Sequence, residues 1–245
     1  MNESKPLTIL QYNVHKSQPR THSVLNDPDS RKYTLLLLQE QYWSEYNKSN
    51  LQHPSWTLIE PPISAQLPTK QPRAVIYANK KLLPTASYAQ INLPFSDVVA
   101  ITIKTSNKLK PTLIINIYNP GDSNLITPLR QYLHGNINKE DYEVIIMAGD
   151  FNLHHPLWNP LHYHIHDDRA DEVIEMMMEY ELTLLLPPDT ITFPTAGTTI
   201  DLIWGNKEAE QGVIKCHIAK ENDHSSDHLP IETILNLQPA QVGNM

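Results

Sequence analysis

Short apolar segments rich in β-branched residues recur along the whole chain. Each is bounded by Pro, Asn, Asp, Gly or charged residues, which is the pattern of β-strands. Some of them, such as residues 114–117, are expected to be buried on both faces. The predicted strands cover residues 7–12, 33–38, 74–78, 98–104, 112–118, 143–148, 199–204, 213–218 and 231–237.

Helical periodicity is confined to a few segments. The strongest pattern covers residues 168–182 and predicts a long amphipathic helix. Its apolar stripe consists of Val173, Ile174, Met177, Met178 and Leu182. Residues 123–134 predict a second helix with Ser123 as its N-cap, and residues 21–26 a short first helix. Many strands with few helices indicate an α/β protein in which two packed mixed sheets are flanked by helices.

Length and composition fit one globular domain. The 245 residues are 40% hydrophobic and 19% charged, without repeats or a low-complexity linker, so we expect a single domain over residues 1–245. The single cysteine, Cys216, permits no internal disulfide and favours a reducing compartment. Residues 1–6 are polar, and no apolar stretch approaches the length of a membrane span. We therefore expect an intracellular protein that does not enter a membrane.

The net charge of −8 argues against a protein that wraps nucleic acid through positive charge alone. It is compatible with an enzyme whose carboxylates hold a divalent cation. Residues 68–72 are rich in proline, and with Lys70 and Arg73 they predict an exposed, extended loop. The two basic residues could contact a phosphate backbone, although a solvated loop is favoured.

The most informative motif is Gly149-Asp150-Phe151-Asn152, which follows an apolar strand. Side chains two positions apart in an extended chain point to the same side, so Asp150 and Asn152 would face one cleft. Strand ends are also where ligands bind in α/β folds. The alternative is an ordinary turn, since Gly, Asp and Asn all favour turns.

Polar residues stand at the ends of other predicted strands as well. These are Asn13, Gln39-Glu40, Tyr118-Asn119 and Ser226-Asp227-His228. Taken singly, each has an ordinary explanation, such as a strand-end cap for Asn13 or a solvated charge for Glu40. Asp201 lies among apolar residues and needs a partner if it is buried, and His228 could be that partner.

Together these groups supply what metal-assisted phosphodiester hydrolysis requires. Carboxylate and amide oxygens suit Mg²⁺ or Mn²⁺. A carboxylate can deprotonate the attacking water, and a protonated imidazole can stabilise a phosphate that gains negative charge.

The ordered motifs resemble the endonuclease/exonuclease/phosphatase superfamily over nearly the whole chain. They are Gln11-Tyr12-Asn13, Leu38-Gln39-Glu40, Asn116-Ile117-Tyr118-Asn119-Pro120, Gly149-Asp150-Phe151-Asn152, Thr199-Ile200-Asp201-Leu202 and Ser226-Asp227-His228. The extension through His154-His155-Pro156-Leu157-Trp158 is similar to the endonuclease domain of LINE-type non-LTR retrotransposons. The resemblance implies the DNase I-like, four-layer α/β sandwich.

The resemblance also implies roles for the matching residues. Asp150 would be the general base, Asn152 would orient water or phosphate, and Asp201 would pair with a transition-state-stabilising His228. The implied metal residues are Glu40, Asn13 and Asp227, with Mg²⁺ or Mn²⁺ as the ion. Tyr118 would contact the scissile phosphate, and the implied substrate-binding residues are Thr192, Asn119 and Ser226.

On this resemblance the chain is a metal-dependent DNA endonuclease that nicks one strand of duplex DNA. The product would be a 3′-hydroxyl that primes reverse transcription, with a reverse transcriptase domain on the same natural polyprotein and a nuclear location. The chain ends shortly after its last strand, so we expect an isolated domain. Asn159 departs from the glycine common at that place in the signature, so the following loop is expected to differ.

Two other functions use the same residues. A phosphatase or phosphodiesterase of the same superfamily would act on abasic DNA or on a small-molecule or lipid phosphate. A catalytically inactive domain would only bind nucleic acid. A zinc site among His154, His155, His162, His164 and His166 is a further alternative, although a structural role for these residues is favoured.

Overall fold

The computed structural model describes residues 6–62 and 71–240. Its strands are β1 (Leu7–Asn13), β2 (Leu35–Gln39), β3 (Trp43–Ser44), β4 (Ser49–Asn50), β5 (Trp56–Ile59), β6 (Ala74–Asn79), β7 (Tyr88–Ile91), β8 (Val98–Ile103), β9 (Thr112–Tyr118), β10 (Val144–Asp150), β11 (Thr183–Leu184), β12 (Asp201–Gly205), β13 (Val213–Ile218) and β14 (Ile231–Leu235). Its α-helices are α1 (Gln18–Asn26), α2 (Ile126–Asn136), α3 (Arg169–Glu179) and α4 (Lys207–Gly212).

The strands form two six-stranded mixed sheets and one short hairpin. The first sheet has the order β13-β14-β1-β2-β6-β5, and the second has the order β11-β12-β10-β9-β8-β7. Each sheet contains one parallel pair near its centre, β1 with β2 and β9 with β10. The carboxyl ends of these parallel strands carry the polar residues singled out from the sequence.

Alternation along the strands separates the layers. In β2, Leu35 and Leu37 pack into the core between the sheets, whereas Leu36 and Leu38 pack into an outer core that also holds Val24 of α1. On the far side of the second sheet, strand residues pack against α2 and α3. The result is the predicted four-layer sandwich, because strands with two apolar faces need a covering layer on each side.

Helix details correct several expectations. α2 begins at Ile126 with Leu125 in the N-cap position, so Ser123 is not its cap. In α3 the buried residues are Ala170, Val173, Met176 and Met177. Met178 is 70% exposed, so its placement in the apolar stripe was wrong. The helix ends at Glu179, which leaves Leu182 beyond it.

The short strands β3, β4, β5, β7 and β11 and the helix α4 were not predicted, since brief elements carry little periodicity. Most of the proline-rich segment at residues 68–72 lies outside the described residues. Arg73, just beyond it, is not a solvated loop residue. Its guanidinium pairs with Asp97 at 2.9 Å and stacks over the ring of Tyr118, 4.6 Å from the ring centroid.

Gly149 allows β9 and β10 to approach closely at the cleft. Its φ is +145°, and a Cβ atom there would lie 1.8 Å from the carbonyl oxygen of Ile117. No other amino acid fits this position without moving the backbone of β9. The glycine of the sequence motif therefore serves the packing of two strands, one residue before the carboxylate that they present.

Candidate active site

A cleft of about 300 Å³ opens where the central strands of both sheets end. Asn13, Tyr118 and Asp150 are the last residues of β1, β9 and β10, and Glu40 directly follows β2. The residues lining this cleft include Asn13, His15, Glu40, Tyr118, Asp150, Asn152, His154, Phe193, Asp227 and His228. The structure thus brings most of the predicted site residues into one cavity.

Asp150 lies at the base of the cleft with both carboxylate oxygens engaged. Its Oδ2 accepts a hydrogen bond from Nδ2 of Asn13 at 2.8 Å, and its Oδ1 accepts one from the backbone N–H of Asn152 at 3.0 Å. Burial and the nearby charge of Asp201 raise the pKa of Asp150, against the opposing effect of His228. A raised pKa makes this carboxylate a stronger base than an exposed aspartate.

His228 pairs with Asp201, as the sequence predicted. Nδ1 of His228 lies 2.8 Å from Oδ2 of Asp201, and its Nε2 lies 4.0 Å from Oδ2 of Asp150. Burial alone would lower the pKa of His228, but the charge and hydrogen bond of Asp201 outweigh it and raise the pKa to about 9. The imidazole is therefore protonated at neutral pH, and the ring of Phe193 packs against it.

Asp201 is held from the opposite side by amides to which the sequence analysis gave no role in the site. Nε2 of Gln11 donates to Oδ1 of Asp201 at 3.0 Å and also to Oε1 of Gln39 at 2.7 Å. Gln39 in turn donates to Oδ1 of Asn116 in the second sheet at 2.5 Å. These buried amides connect the sheets beneath the site. Their position inside otherwise apolar strands was the available signal, because buried amides need partners.

Glu40 is buried, which excludes the solvated-charge explanation. It is 8% exposed, its Oε1 accepts a hydrogen bond from the Tyr118 hydroxyl at 2.8 Å, and the same oxygen forms an ion pair with Nζ of Lys16 at 3.1 Å. Burial, followed by the charge of Glu40, raises the pKa of Tyr118, so this phenol remains protonated. Lys16 and Arg73 surround this carboxylate with positive charge, and neither was predicted.

Asp227 and Ser226 form the other rim. Oδ2 of Asp227 lies 2.9 Å from Nδ1 of His15. The Ser226 hydroxyl donates to the carbonyl oxygen of Asn13 at 2.8 Å and to Oδ1 of Asp227 at 3.2 Å. Asp227 is 30% exposed and faces the cleft, whereas Ser226 ties the segment before β14 to the end of β1.

Two residues expected to contact substrate are internal. Thr192 is fully buried, and its hydroxyl accepts the backbone N–H groups of Ile200 at 3.0 Å and Asp201 at 3.1 Å. Asn119 is 1% exposed and donates to the carbonyl oxygen of Phe151 at 2.6 Å. In this structure each side chain satisfies buried backbone groups and helps to position a neighbouring aspartate, and neither faces the cleft.

The backbone around the cleft is strained. Glu40 and Asn152 have φ values of 47° and 50°, and His15 and Lys16 have similar left-handed values. Residues other than glycine adopt the left-handed region at a cost in free energy, and such residues concentrate at functional sites. Asn152 is held there by its side chain, whose Nδ2 donates to the carbonyl oxygen of Asn119 at 2.9 Å.

The histidine-rich loop divides into separate environments. His154 lines the cleft, while His155 and His166 turn away from it towards Asp171 in α3. His162 and His164 are exposed, so the sequence alternation does not gather three imidazoles. Asn159, which replaces the glycine common in the signature, is 2% exposed. Its Oδ1 accepts a hydrogen bond from the backbone N–H of Thr199 at 2.9 Å and connects this loop to the segment before β12.

The resemblance noted from the sequence is supported by a family model that covers nearly half of the chain and by solved structures that share the fold. Residues 112–232 match the family model described as endonuclease-reverse transcriptase. No curated protein sequence matches the chain significantly.

Solved structures share the fold at low sequence identity. The endonuclease domain of TRAS1, a telomere-specific non-LTR retrotransposon, aligns with a TM-score of 0.72 at 17% identity, covering 95% of this chain and 100% of that chain. The AP endonuclease LMAP from Leishmania major aligns with a TM-score of 0.70 at 13% identity, covering 94% of this chain and 88% of that chain. The Xenopus laevis APE2 catalytic domain aligns with a TM-score of 0.67 at 14% identity, covering 97% of this chain and 94% of that chain.

Proposed function

We propose that this protein is a divalent-metal-dependent DNA endonuclease that nicks one strand of duplex DNA. The observation that carries the proposal is the placement of a protonated His228 4.0 Å from the buried carboxylate of Asp150 in an open cleft. One group can accept a proton from water, and the other can stabilise a phosphate that gains charge.

The donor set of the cleft fits Mg²⁺ or Mn²⁺. Glu40 and Asp227 offer carboxylate oxygens at opposite rims, with Nζ of Lys16 against the first and the His15 imidazole against the second. Hard oxygen donors of this kind prefer hard cations. The Asn13 amide donates a hydrogen bond to Asp150, so we assign Asn13 to positioning the general base. Glu40 and Asp227 are then the proposed metal ligands. A bound cation would neutralise the phosphate charge and polarise the scissile phosphodiester.

The side chains then divide the reaction between them. Asp150 takes a proton from a water that Asn152 orients, and the water oxygen attacks phosphorus. The P–O3′ bond breaks, and the leaving 3′-oxygen takes up a proton from solvent to become the 3′-hydroxyl. His228, kept protonated by Asp201, stabilises the charge on the non-bridging oxygens. Tyr118 donates its hydroxyl hydrogen bond to the phosphate or to Glu40.

The substrate and context follow from the relatives as proposals. TRAS1 is a telomere-specific non-LTR retrotransposon, and the family model describes endonuclease-reverse transcriptases. We propose duplex chromosomal DNA as the substrate, a nuclear site of action, and a reverse transcriptase domain on the natural polyprotein that extends the 3′-hydroxyl. Among the described residues, no helix has the length and apolarity needed to span a bilayer.

Conversion of supercoiled plasmid to the open-circular form in Mg²⁺ tests the proposal. We expect nicking by the wild-type chain and a loss of about 10²-fold or more in Asp150→Ala and His228→Ala. An intact plasmid with every divalent metal, while a control nuclease nicks it, would exclude endonuclease activity. Parallel reactions with an abasic duplex and with inositol phosphates separate the AP-endonuclease and phosphatase alternatives.

A further inference from the structure

Two imidazoles and a carboxylate converge outside the cleft, in the loop that follows the Gly149-Asp150-Phe151-Asn152 turn. They belong to His155, His166 and Asp171, and their ligand atoms all lie within 4.8 Å of one another. Oδ1 of Asp171 lies 3.0 Å from Nε2 of His166 and 3.7 Å from Nε2 of His155. Both rings therefore present the same nitrogen to one carboxylate oxygen.

Packing fixes the two rings. His155 lies against the buried Trp158 with 5.2 Å between ring centroids, and it meets His166 edge to face at 4.7 Å. The loop closes on itself, because the N–H of Asp167 donates to the carbonyl oxygen of His154 at 2.8 Å. The donors are thus held by a closed loop and by the first turn of α3, which limits the entropy lost when they bind a ligand.

The charges leave this cluster open to a cation. Within the described ranges, the ion pairs of Asp171 are with these two histidines and include no lysine or arginine. The comparable group of His217, Glu221 and Glu232 differs, since Lys32 and Lys215 lie 3.2 and 3.6 Å from the Glu232 carboxylate.

We propose that His155, His166 and Asp171 form a binding site for a transition-metal ion of the Zn²⁺ class, separate from the Mg²⁺ site of the cleft. Two imidazole nitrogens and one carboxylate oxygen are ligands that Zn²⁺, Co²⁺ and Ni²⁺ accept, whereas Mg²⁺ prefers oxygen alone. His166 and Asp171 are exposed, so solvent can supply the fourth ligand.

A hydrogen bond to His155 opposes binding, in addition to the contact between Nε2 of His166 and Oδ1 of Asp171 that an ion would replace. The N–H of Leu157 points to Nδ1 of His155 at 3.0 Å, so Nε2 carries the ring proton in the ion-free protein. An ion at Nε2 requires the other tautomer, with the proton on Nδ1, and breaks this contact. Losing one such bond weakens binding by about tenfold.

The bound ion would tie the loop to the start of α3. His154, next to His155, lines the cleft, and the orphaned Nδ1 of His154 is buried there. Metal binding at the cluster would therefore stiffen one wall of the cleft without adding a group to it.

Titration of the full chain with Zn²⁺ in millimolar Mg²⁺ tests the site, on a Glu40→Gln background that removes the main carboxylate of the cleft. We expect one equivalent of Zn²⁺ to bind, and at least tenfold weaker binding in His166→Ala and in Asp171→Asn. His164→Ala, an exposed histidine of the same loop outside the cluster, is the matched control and should bind as the parent does.

Two further measurements locate the ion. Co²⁺ should give visible absorption typical of tetrahedral coordination, and the Leu157 amide should show the largest NMR shift of the loop. Undiminished Zn²⁺ binding in both variants, or an unmoved Leu157 amide, would overturn the proposal. Plasmid nicking in Mg²⁺ by His166→Ala is expected to match wild type, so a failure here is distinguishable from a failure of the proposed nuclease function.

Discussion

His228 and Asp201 form a buried ion pair, with 2.8 Å between Nδ1 and Oδ2, that faces the cleft through the opposite ring nitrogen. The two residues come from different segments, Asp201 from the start of β12 and His228 from the approach to β14. Their contact joins the second sheet to the first at the point where the cleft opens. Several predictions of function and stability depend on it.

Asp201→Asn should reduce the nicking rate by about 10²-fold or more, because the neutral amide no longer keeps His228 protonated or oriented. The alkaline limb of the pH–rate profile should also move to lower pH than the wild-type value, set by a pKa of about 9. Single-turnover rates from pH 6 to pH 10 measure both effects. An exposed carboxylate outside the cleft, changed in Asp29→Asn, should leave them unaltered.

The stability of the fold should fall with rising pH in a window that this pair defines. The pKa of His228 is raised from 6.5 to about 9, so its contribution is fully present below 6.5 and is lost as pH rises through about 9. A pKa shift of this size corresponds to roughly 3 kcal/mol of unfolding free energy at most. Urea unfolding from pH 6 to pH 10 should show the fall in wild type and a flatter curve in His228→Gln. Parallel curves for the two proteins would refute the assignment.

Gly149→Ala should destabilise the protein by about 3 kcal/mol or more, because the added Cβ meets the Ile117 carbonyl and the left-handed φ is strained. The matched control is Gly135→Ala in α2, where nothing lies within 4 Å of the added atom. That substitution should be neutral or stabilising by up to about 1 kcal/mol. Denaturant midpoints compare the two, and equal midpoints would contradict the close approach of β9 and β10.

Gln39→Leu should lower the free energy of unfolding by about 2 kcal/mol or more, because the buried amides of Gln11 and Asn116 lose their hydrogen bonds to Gln39. Gln90→Leu on the exposed edge strand β7 should change stability by no more than about 0.5 kcal/mol. If the hydrogen-bonded side-chain amides of Gln11, Gln39 and Asn116 also position Asp201, the nicking rate of Gln39→Leu should fall at a temperature where the variant remains folded. Loss of stability with an unchanged rate would limit these amides to a structural role.

Lys16→Ala should strengthen Mg²⁺ binding about two- to fivefold, because the ammonium lies 3.1 Å from the Glu40 carboxylate and competes with the ion. The effect is small since Lys16 is largely exposed and screened by solvent. Lys48→Ala removes a similar surface ion pair with Glu45 and serves as the control. Calorimetric titration with Mg²⁺ measures both, and identical affinities would argue against Glu40 as a metal ligand.

Local patterns in the sequence were enough to predict the long strands and the residues at their ends. Period-two alternation and apolar runs are local signals, so β1, β2, β9 and β10 and the polar residues that follow them were predictable. The pairing of Asp201 with His228 was also predictable, because a carboxylate among apolar residues needs a partner. Motif order then indicated the superfamily.

Which polar residues face the cleft and which support it from inside depends on long-range packing. Thr192 and Asn119 are polar residues of the types found in active sites, yet their side chains form hydrogen bonds with buried backbone groups. Arg73 and Lys16 gave no local signal, and they reach Tyr118 and Glu40 only because distant strands end side by side. The meeting of His155 and His166 beside Asp171 depends in the same way on how a loop closes against a helix. Such contacts depend on the path of loops and on which strands end side by side, and periodicity carries no information about either.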